Sequence, residues 1–547
     1  MLNDGSPMKF YVTTPIYYVN DKPHIGSAYT TIACDALARA HRLRGEDVRF
    51  VTGLDENSQK NADAMAKAGE TDLMTYLDRM AGLWKTTWKE TGISNDDFIR
   101  TTEERHLKAV ERFWKASMAA GDIYLGSYDA LYCEGCEEFK TETDLVDGKC
   151  PLHPNRELKK ISEKNYFFKY ASYRDELLKW YDTHPEIAQP ESRLNEVRQY
   201  VTNHLSDISI SREAASLSCG IPVPGDDSQR IYVWFDALIN YISAVGFGTD
   251  DAMTEAWWPA DLHMVGKDIL KFHCALWPAM LLSAAKTDPL LKKLQDEDRL
   301  LPKNVYVHGF FTINGQKMSK SLGNTIDPIE ISKKYGIDPV RYYLLREIPF
   351  GDDGDFSTAR LEERYASDLA NTLGNLVQRV VAMSRKYFNG CVPNVNVNEA
   401  ATVATDAAWS GAAGIAEIER VYDASVSRFR LDEALITIWN AGAEKGSGLL
   451  QANKHIEETK PFQLVKTDEM KTGTILYSIL EAIRHYAWLL DPMMPETSRK
   501  MLAALGLDRD EELKKGMETN RVWGGLVPGS SLPEPQPMFP RLETTSE

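Results

Sequence analysis

A chain of 547 residues, 43% hydrophobic and 26% charged, has the composition of an ordinary soluble protein, and its length predicts three or four domains. Its formal charge of −17 excludes a protein that coats nucleic acid generally, because phosphate contacts need clustered Lys and Arg; a local basic track for one large polyanion stays compatible. No run approaches the roughly 20 uncharged apolar residues of a membrane span, and Met1 to Pro7 lacks the basic-then-apolar pattern of a signal peptide, so a cytosolic location is expected.

The run Phe10-Tyr11-Val12-Thr13 predicts a strand that stops at Pro15, and a helical pattern follows from Ile25 to about Arg42. A second strand, Val48 to Thr52, ends at Gly53-Leu54-Asp55 and completes a right-handed βαβ unit. Parallel sheets bind ligands at the carboxyl ends of their strands, where Pro23-His24 and Asp55 both fall. From about residue 121 to Gly225-Asp226-Asp227 the chain has short strands, many Glu and Lys and little helical period, which predicts an inserted domain. Strand-like runs return at Leu262 to Gly266 and Val305 to His308, so the insert splits a Rossmann-type parallel sheet. Beyond Phe356, Leu361, Tyr365, Leu369, Leu373, Val377 and Val380 form an amphipathic stripe at steps of three or four. Further stripes run from Phe429 to Trp439 and from Leu476 to Ala487, predicting a closing helical bundle, and the Pro-rich stretch from Val527 to Arg541 predicts an extended arm. The predicted class is α/β followed by all-α, without repeats or low-complexity tracts.

Three of the seven cysteines cluster with a histidine. Cys133-x-x-Cys136, thirteen residues, then Cys150-x-x-His153 offers four ligands in two knuckle-like pairs, as tetrahedral zinc requires. Protein fills all four positions, so the expected Zn²⁺ is structural. Cys34, Cys219, Cys274 and Cys391 are scattered, which argues for a metal site in a reducing compartment rather than a disulfide framework.

Two short motifs carry chemistry. Pro23-His24-Ile25-Gly26 lies between a strand and a helix, where Pro can start the helix and helix-end N–H groups favour an anion; alone, the tetrad fits capping or packing better than phosphate binding. Gly315-Gln316-Lys317-Met318-Ser319-Lys320-Ser321-Leu322-Gly323-Asn324 puts two lysines three apart between glycines, so both ammonium groups can swing toward one target. A solvated basic turn is the plain alternative. Together, however, the strings resemble the HIGH and KMSKS motifs of class I aminoacyl-tRNA synthetases, in the right order and separation.

Longer strings resemble the methionine-specific family of that class: Thr14 to Asn20, Tyr232 to Tyr241, His263 to Ile269 and Gly351 to Ser357, with the likeness running from Phe10 to Arg541. The resemblance implies ATP, with Mg²⁺, attacked at its α-phosphorus by the methionine carboxylate, and transfer of the methionyl group to tRNA(Met). Such a reaction needs positioning and charge stabilisation, not a protein nucleophile. His24, Gly26 and Ser27 with Gly266 and Asp268 would hold the nucleotide, Asp268 on the ribose, while Lys317 and Lys320 would take the pyrophosphate. Asp55 would pair with the ammonium, and Ile16, Tyr18, Trp234, Ala237, Leu238, Tyr241 and His273 would wall the thioether. Read alone, Trp234 to Tyr241 is an aromatic amphipathic helix suited to core packing.

Asn371, Asn375 and Arg379 share one helix face, which composition alone would leave to solvent; the resemblance makes it an anticodon reader. Phe462 stands where the family supplies a stacking Trp. The implied division is 1–120 and 230–310 for the halves of the catalytic domain, 121–229 for the connective insert with its zinc knuckle, 311–358 for the KMSKS and stem-contact region, 359–520 for the anticodon bundle and 521–547 for the arm. A monomer is expected. The insert is too short for a hydrolytic editing domain, so homocysteine, one methylene shorter, would have to be rejected in the synthetic site.

Two departures touch the chemistry: Ser27 replaces the second His of HIGH, and Asp55-Glu56-Asn57-Ser58 replaces the usual Asp-Glu-His-Gly. Neither Ser27 nor Asn57 can carry positive charge. The rival reading is a non-catalytic tRNA-binding paralogue, against which stand His24, Asp55, Asp268, Lys317 and Lys320.

Overall fold

The computed structural model describes residues 7–136, 138–140, 145–215, 217, 219–313, 315–318, 325–403, 409–439, 446–540 and 542. Six parallel strands form the central sheet: β1 (Lys9–Tyr18), β2 (Asp47–Asp55), β3 (Asp97–Arg100), β4 (Ala188–Gln189), β5 (Leu262–Gly266) and β6 (Val305–His308). Their order is β3-β2-β1-β5-β6-β4. The apolar runs at β5 and β6 are buried throughout, as expected for strands covered on both faces. Strand β1 differs from the expectation, for it continues through Pro15 to Tyr18 with a register shift between Thr13 and Ile16. A proline lacks the ladder donor, and the irregularity accommodates that loss.

Between β3 and β5 the chain builds a four-stranded antiparallel sheet from Ile123–Cys133, Glu138–Lys140, Lys159–Phe168 and Ile208–Ser209. The expectation of little helical period here is corrected. Arg174–Thr183 and Glu191–His204 are helices, burying Leu177 and Tyr181 on one and Leu194, Val197 and Val201 on the other. Between them β4 returns to the edge of the central sheet, with Ala188 opposite Val305. Charged residues fill the remaining faces of these helices and dilute their period.

Helix α1 (Ile25–Leu43) follows β1 and is nearly all buried. Midway along it, Asp35 is wholly buried and meets Arg341, also wholly buried, at 2.7 Å. Arg341 further donates to the carbonyls of Met493 (2.8 Å) and Pro492 (3.1 Å). Asp35 also accepts from Arg39 Nε at 2.7 Å and from the Ser94 amide and hydroxyl at 2.7 and 2.6 Å. Burial pushes the Asp35 carboxyl upward, but Arg341, Arg39 and Ser94 outweigh it and hold it below the usual range.

The helical part begins with Thr358–Arg364, Tyr365–Gly374 and Asn375–Tyr387, which run on as one rod with a π-helical middle segment. The stripe Leu361, Tyr365, Leu369, Leu373, Val377 and Val380 is buried as expected. Successive steps of four overshoot an α-turn by about 40° each, and the wider π-turns offset that drift. Glu469–Leu490 is the bundle's central helix, buried almost throughout. Among the described residues no helix is long and apolar enough to cross a membrane.

The C-terminal segment is pinned to the bundle by one carboxylate. Buried Glu481 accepts from the amides of Gly524 (2.8 Å), Gly525 (2.9 Å) and Leu526 (2.9 Å) and from Arg484 Nη2 (2.6 Å). The arm then runs back along the rod, where Pro540 O accepts from Tyr365 Oη at 2.7 Å. Burial raises the Glu481 carboxyl, but His485 and Arg484 overcome it and bring its pKa down to about 2. A carboxylate with a depressed folded pKa stabilises above its unfolded pKa and loses that contribution as pH falls through the folded value. The stability gap between wild type and Glu481→Gln is therefore expected to be full above about pH 4.5 and to close as pH falls toward 2, as read by urea unfolding across that range.

Candidate active site

A cleft of about 2030 Å³ opens at the carboxyl ends of β1, β2, β5 and β6, lined by their last residues Tyr18, Asp55, Gly266 and His308. It gathers Ile16, Tyr18, His24, Gly26, Ser27, Asp55, Trp234, Ala237, Leu238, Tyr241, Gly266, Asp268 and His273 along one wall system. These are all the sequence-predicted small-molecule residues except the two lysines. Lys320 lies outside the described residues, and Lys317 is described only as backbone paired with Thr312.

The His24 motif is shaped by helix capping. His24 is the N-cap of α1, and its Nδ1 accepts from the Gly26 amide at 3.0 Å. An amide must donate, so Nδ1 is unprotonated and the neutral ring carries its proton on Nε2. Gly26 is required by close approach: a Cβ there would meet His24 Cε1 at 2.9 Å. Ser27 completes a capping box, accepting from the His24 amide at 3.0 Å and donating to the His24 carbonyl at 2.8 Å. The departure from the second His of HIGH is thus a residue that fixes the backbone of the first.

Both described ends of the lysine loop touch this motif. A Cβ on Gly26 would meet Met318 Cε at 3.7 Å. On the far side, Ile25 N donates to Ile326 O at 2.9 Å, and Lys22 pairs with Asp327 at 2.7 Å. The loop leaves a hairpin of Phe311–Ile313 and Gln316–Lys317 turned at Gly315, whose φ of 72° suits glycine.

In the same lining Asp55 is buried at 4% exposure, and its Oδ1 lies 3.4 Å from the Asn57 amide. The segment Val233–Ala237 is a short helix that turns Trp234 to the cleft, stacked on Phe272 at 4.0 Å, while Phe235 is wholly buried. His273 donates from Nδ1 to Ile269 O (2.9 Å), so its Nε2 accepts from Tyr241 Oη (2.6 Å). Burial pushes the His273 pKa down to about 4, which keeps this wall neutral and suited to an apolar side chain. The site therefore offers the buried carboxylate of Asp55, a second carboxylate at Asp268, polarisable aromatic rings and a helix N-terminus with an imidazole donor.

Sequence reasoning missed two features. The cysteine cluster reaches the same cleft, whose lining includes Gly135, Cys136, Leu152 and His153 together with Lys140, Arg156, Lys159, Arg193 and Arg212. No local signal could have shown this, since strand pairing alone swings the cluster over the sheet. The second is Asn57, whose side chain donates to Asp236 at 3.0 Å. In the cluster, Cys136 Sγ lies 3.5 Å from Cys150 Sγ and 3.3 Å from His153 Nδ1, with all four ligand atoms within 4.8 Å of one another. Ligands about 2.3 Å from one zinc would stand roughly 3.7 Å apart, so the donor set fits that ion.

On the bundle, Asn371 and Asn375 are exposed and Arg379 half-buried, on the face of the rod opposite its buried stripe. Leu449–Thr459 ends in left-handed Lys460 (φ 45°), and Phe462 on the next turn is 44% exposed. Asn453 ties the two elements by donating to Thr372 O at 3.1 Å.

This fold and site define a class I tRNA synthetase. The family described as "tRNA synthetases class I (M)" matches residues 10–160 and 153–381, and "Anticodon binding domain of methionyl tRNA ligase" matches residues 411–547. The methionine-tRNA ligase of Thermotoga maritima is 44% identical over 98% of this chain and 81% of its own length. That of Synechocystis sp. is 42% identical over 100% of this chain and 99% of its own. A Mycobacterium tuberculosis methionyl-tRNA synthetase solved with methionyl-adenylate superposes with a TM-score of 0.85 at 38% identity, covering 98% of this chain and 100% of that one. The chain belongs to the methionyl-tRNA synthetase family.

Replacing Ser27 by Ala removes the capping box but not His24. The expected result is a loss of about 1 kcal/mol in denaturant unfolding, with a lower turnover in ATP–pyrophosphate exchange because the His24 backbone is less firmly held.

Proposed function

We infer that the protein activates L-methionine with ATP to methionyl-adenylate and transfers the methionyl group to tRNA(Met), as a methionine-tRNA ligase. The observation that supports this reading is one cleft whose lining brings together the buried Asp55 carboxylate, the neutral group of Trp234, Tyr241 and His273, and the His24 helix start. In it the methionine ammonium pairs with Asp55 and the thioether packs among Ile16, Tyr18, Trp234, Ala237, Leu238, Tyr241 and His273. The adenosine ribose is held at Gly266 and Asp268. His24 donates from Nε2 to the phosphates, with Gly26 allowing their approach, and Lys317 and Lys320 balance charge on the departing pyrophosphate. Mg²⁺ bound with ATP supplies further charge neutralisation there.

The reaction needs no covalent enzyme intermediate: a carboxylate oxygen bonds to the α-phosphorus as the bond to the bridging oxygen breaks and pyrophosphate leaves. Orientation and electrostatics therefore supply the rate. Asn371, Asn375, Arg379 and Phe462 read the anticodon, with Phe462 stacking on a base, and the basic side chains of the insert accompany the acceptor end toward the cleft. Cys133, Cys136, Cys150 and His153 hold one structural Zn²⁺, and a monomer in the cytoplasm completes the reading. Metal analysis of the purified chain is expected to give one zinc per chain, and Cys136→Ser to lose it.

The direct test is exchange of labelled pyrophosphate into ATP. Exchange is expected with methionine and not with leucine or valine; none with methionine, or a preference for either competitor, would refute the reading. Lys320→Ala is expected to lower turnover by about a hundredfold or more with little change in methionine KM, since its contact forms mainly in the transition state. Equal losses in both would remove that role.

A further inference from the structure

Behind the amino-acid pocket the buried polar groups stand in one row, hydrogen-bonded on either side of a gap between Asp236 Oδ1 and His106 Nε2. Asp236 sits between Trp234 and Ala237 on the Val233–Ala237 helix and is wholly buried. Its Oδ2 accepts from Asn57 Nδ2 at 3.0 Å, across 179 residues of sequence. Asn57 follows Asp55 by two positions, its amide 3.4 Å from Asp55 Oδ1, and its Nδ2 also faces Thr101 O at 3.3 Å. On the other side Asp236 Oδ1 lies 3.7 Å from Nε2 of wholly buried His106. His106 Nδ1 is 3.0 Å from Ser243 Oγ, and Ser243 ends the Asn240–Ser243 helix that carries Tyr241.

We propose that Asp236 is a positioning residue that sets the length of the amino-acid pocket, by holding the Asp55 strand end at a fixed distance from the helix bearing Trp234 and Ala237. The proposal rests on the methionine-pocket reading above. An apolar pocket alone distinguishes one methylene by only about 10- to 200-fold, and even that requires walls that do not drift relative to the ammonium anchor. Anchor and walls come from distant parts of the chain. A direct hydrogen bond between them runs from Asn57 to Asp236, both buried, so slack there leaves a buried carboxylate short of a partner. This also gives the Asn57 departure a physical reason: the position must donate to Asp236, which an amide does as well as an imidazole.

The test uses the full chain in methionine-dependent ATP–pyrophosphate exchange, with homocysteine and ethionine as the shorter and longer competitors. Asn57→Ala is expected to raise the methionine KM about tenfold, the worth of one hydrogen bond to a charged group. The ATP KM should stay within about twofold, and the preference for methionine over both competitors should shrink. Asn57→His, which restores a donor, is expected to return the methionine KM and the preference toward wild type. A methionine KM unchanged in Asn57→Ala, or methionine and ATP KM values rising together with a lowered Tm, would overturn the proposal. Asp55→Ala separates the two levels. If it abolishes methionine-dependent exchange while Asn57→Ala changes nothing, only the positioning role falls; if it retains wild-type methionine KM, the pocket reading falls and takes the proposal with it.

Discussion

The buried pair of Asp35 and Arg341 is the constraint on which the arrangement of this molecule turns. Two opposite charges without solvent need partners for their remaining lone pairs and protons, and here all but Arg341 Nη1 are served from different parts of the chain: Ser94, Arg39, Pro492 and Met493. Satisfying Asp35 therefore brings together α1, the approach to β3, the Ile337–Arg346 helix and the turn that ends the bundle's central helix. A second link runs from the end of α1, where Arg44 meets Asp423 at 3.1 Å and Asp423 also binds Arg521 at 2.5 Å. One helix is thus fixed to the bundle along its length while its first turn presents His24 to the cleft. The same polar economy recurs at Glu481, where one carboxylate fastens the C-terminal arm.

Much of this was legible in the sequence because periodicity reports burial. The runs at β2, β5 and β6 and the stripe from Leu361 to Val380 fall where the pattern put them. Pro15 hides the strand's true length, because a proline signals a stop while a bulged parallel strand passes through it. The helices Arg174–Thr183 and Glu191–His204 were missed because each buries only two or three apolar residues among many charges. The residues of the cleft were nameable through resemblance, and composition or spacing alone would have left Trp234 to Tyr241 in the core. What no sequence pattern carries is the partner of a polar side chain. That Ser27 caps its own helix, that Asn57 serves Asp236, and that the cysteine cluster overhangs the cleft are all tertiary facts.

These partners change the meaning of the two departures. The loss of two histidines looked like a loss of positive charge beside ATP. In the fold, Ser27 makes its hydrogen bonds with the backbone of His24 and Asn57 makes its own with Asp236 and Thr101. Both hold the groups beside them, and under the function proposed above charge at the phosphates falls to the imidazole donor, the helix start and the lysine loop whose described ends flank it. In the same cleft the neutral His273 and the stacked Trp234 stand with the buried carboxylate of Asp55, the group to which the proposed function gives the ammonium.

The most direct measurement of this account is a structure of the protein with a non-hydrolysable methionyl-adenylate analogue. The account predicts the ammonium within hydrogen-bonding distance of Asp55, the sulfur enclosed by Trp234, Tyr241 and His273, the ribose hydroxyls on Asp268 and the phosphate mimic at His24 Nε2. An analogue bound with its ammonium away from Asp55, or with its side chain outside the Trp234 wall, would contradict it.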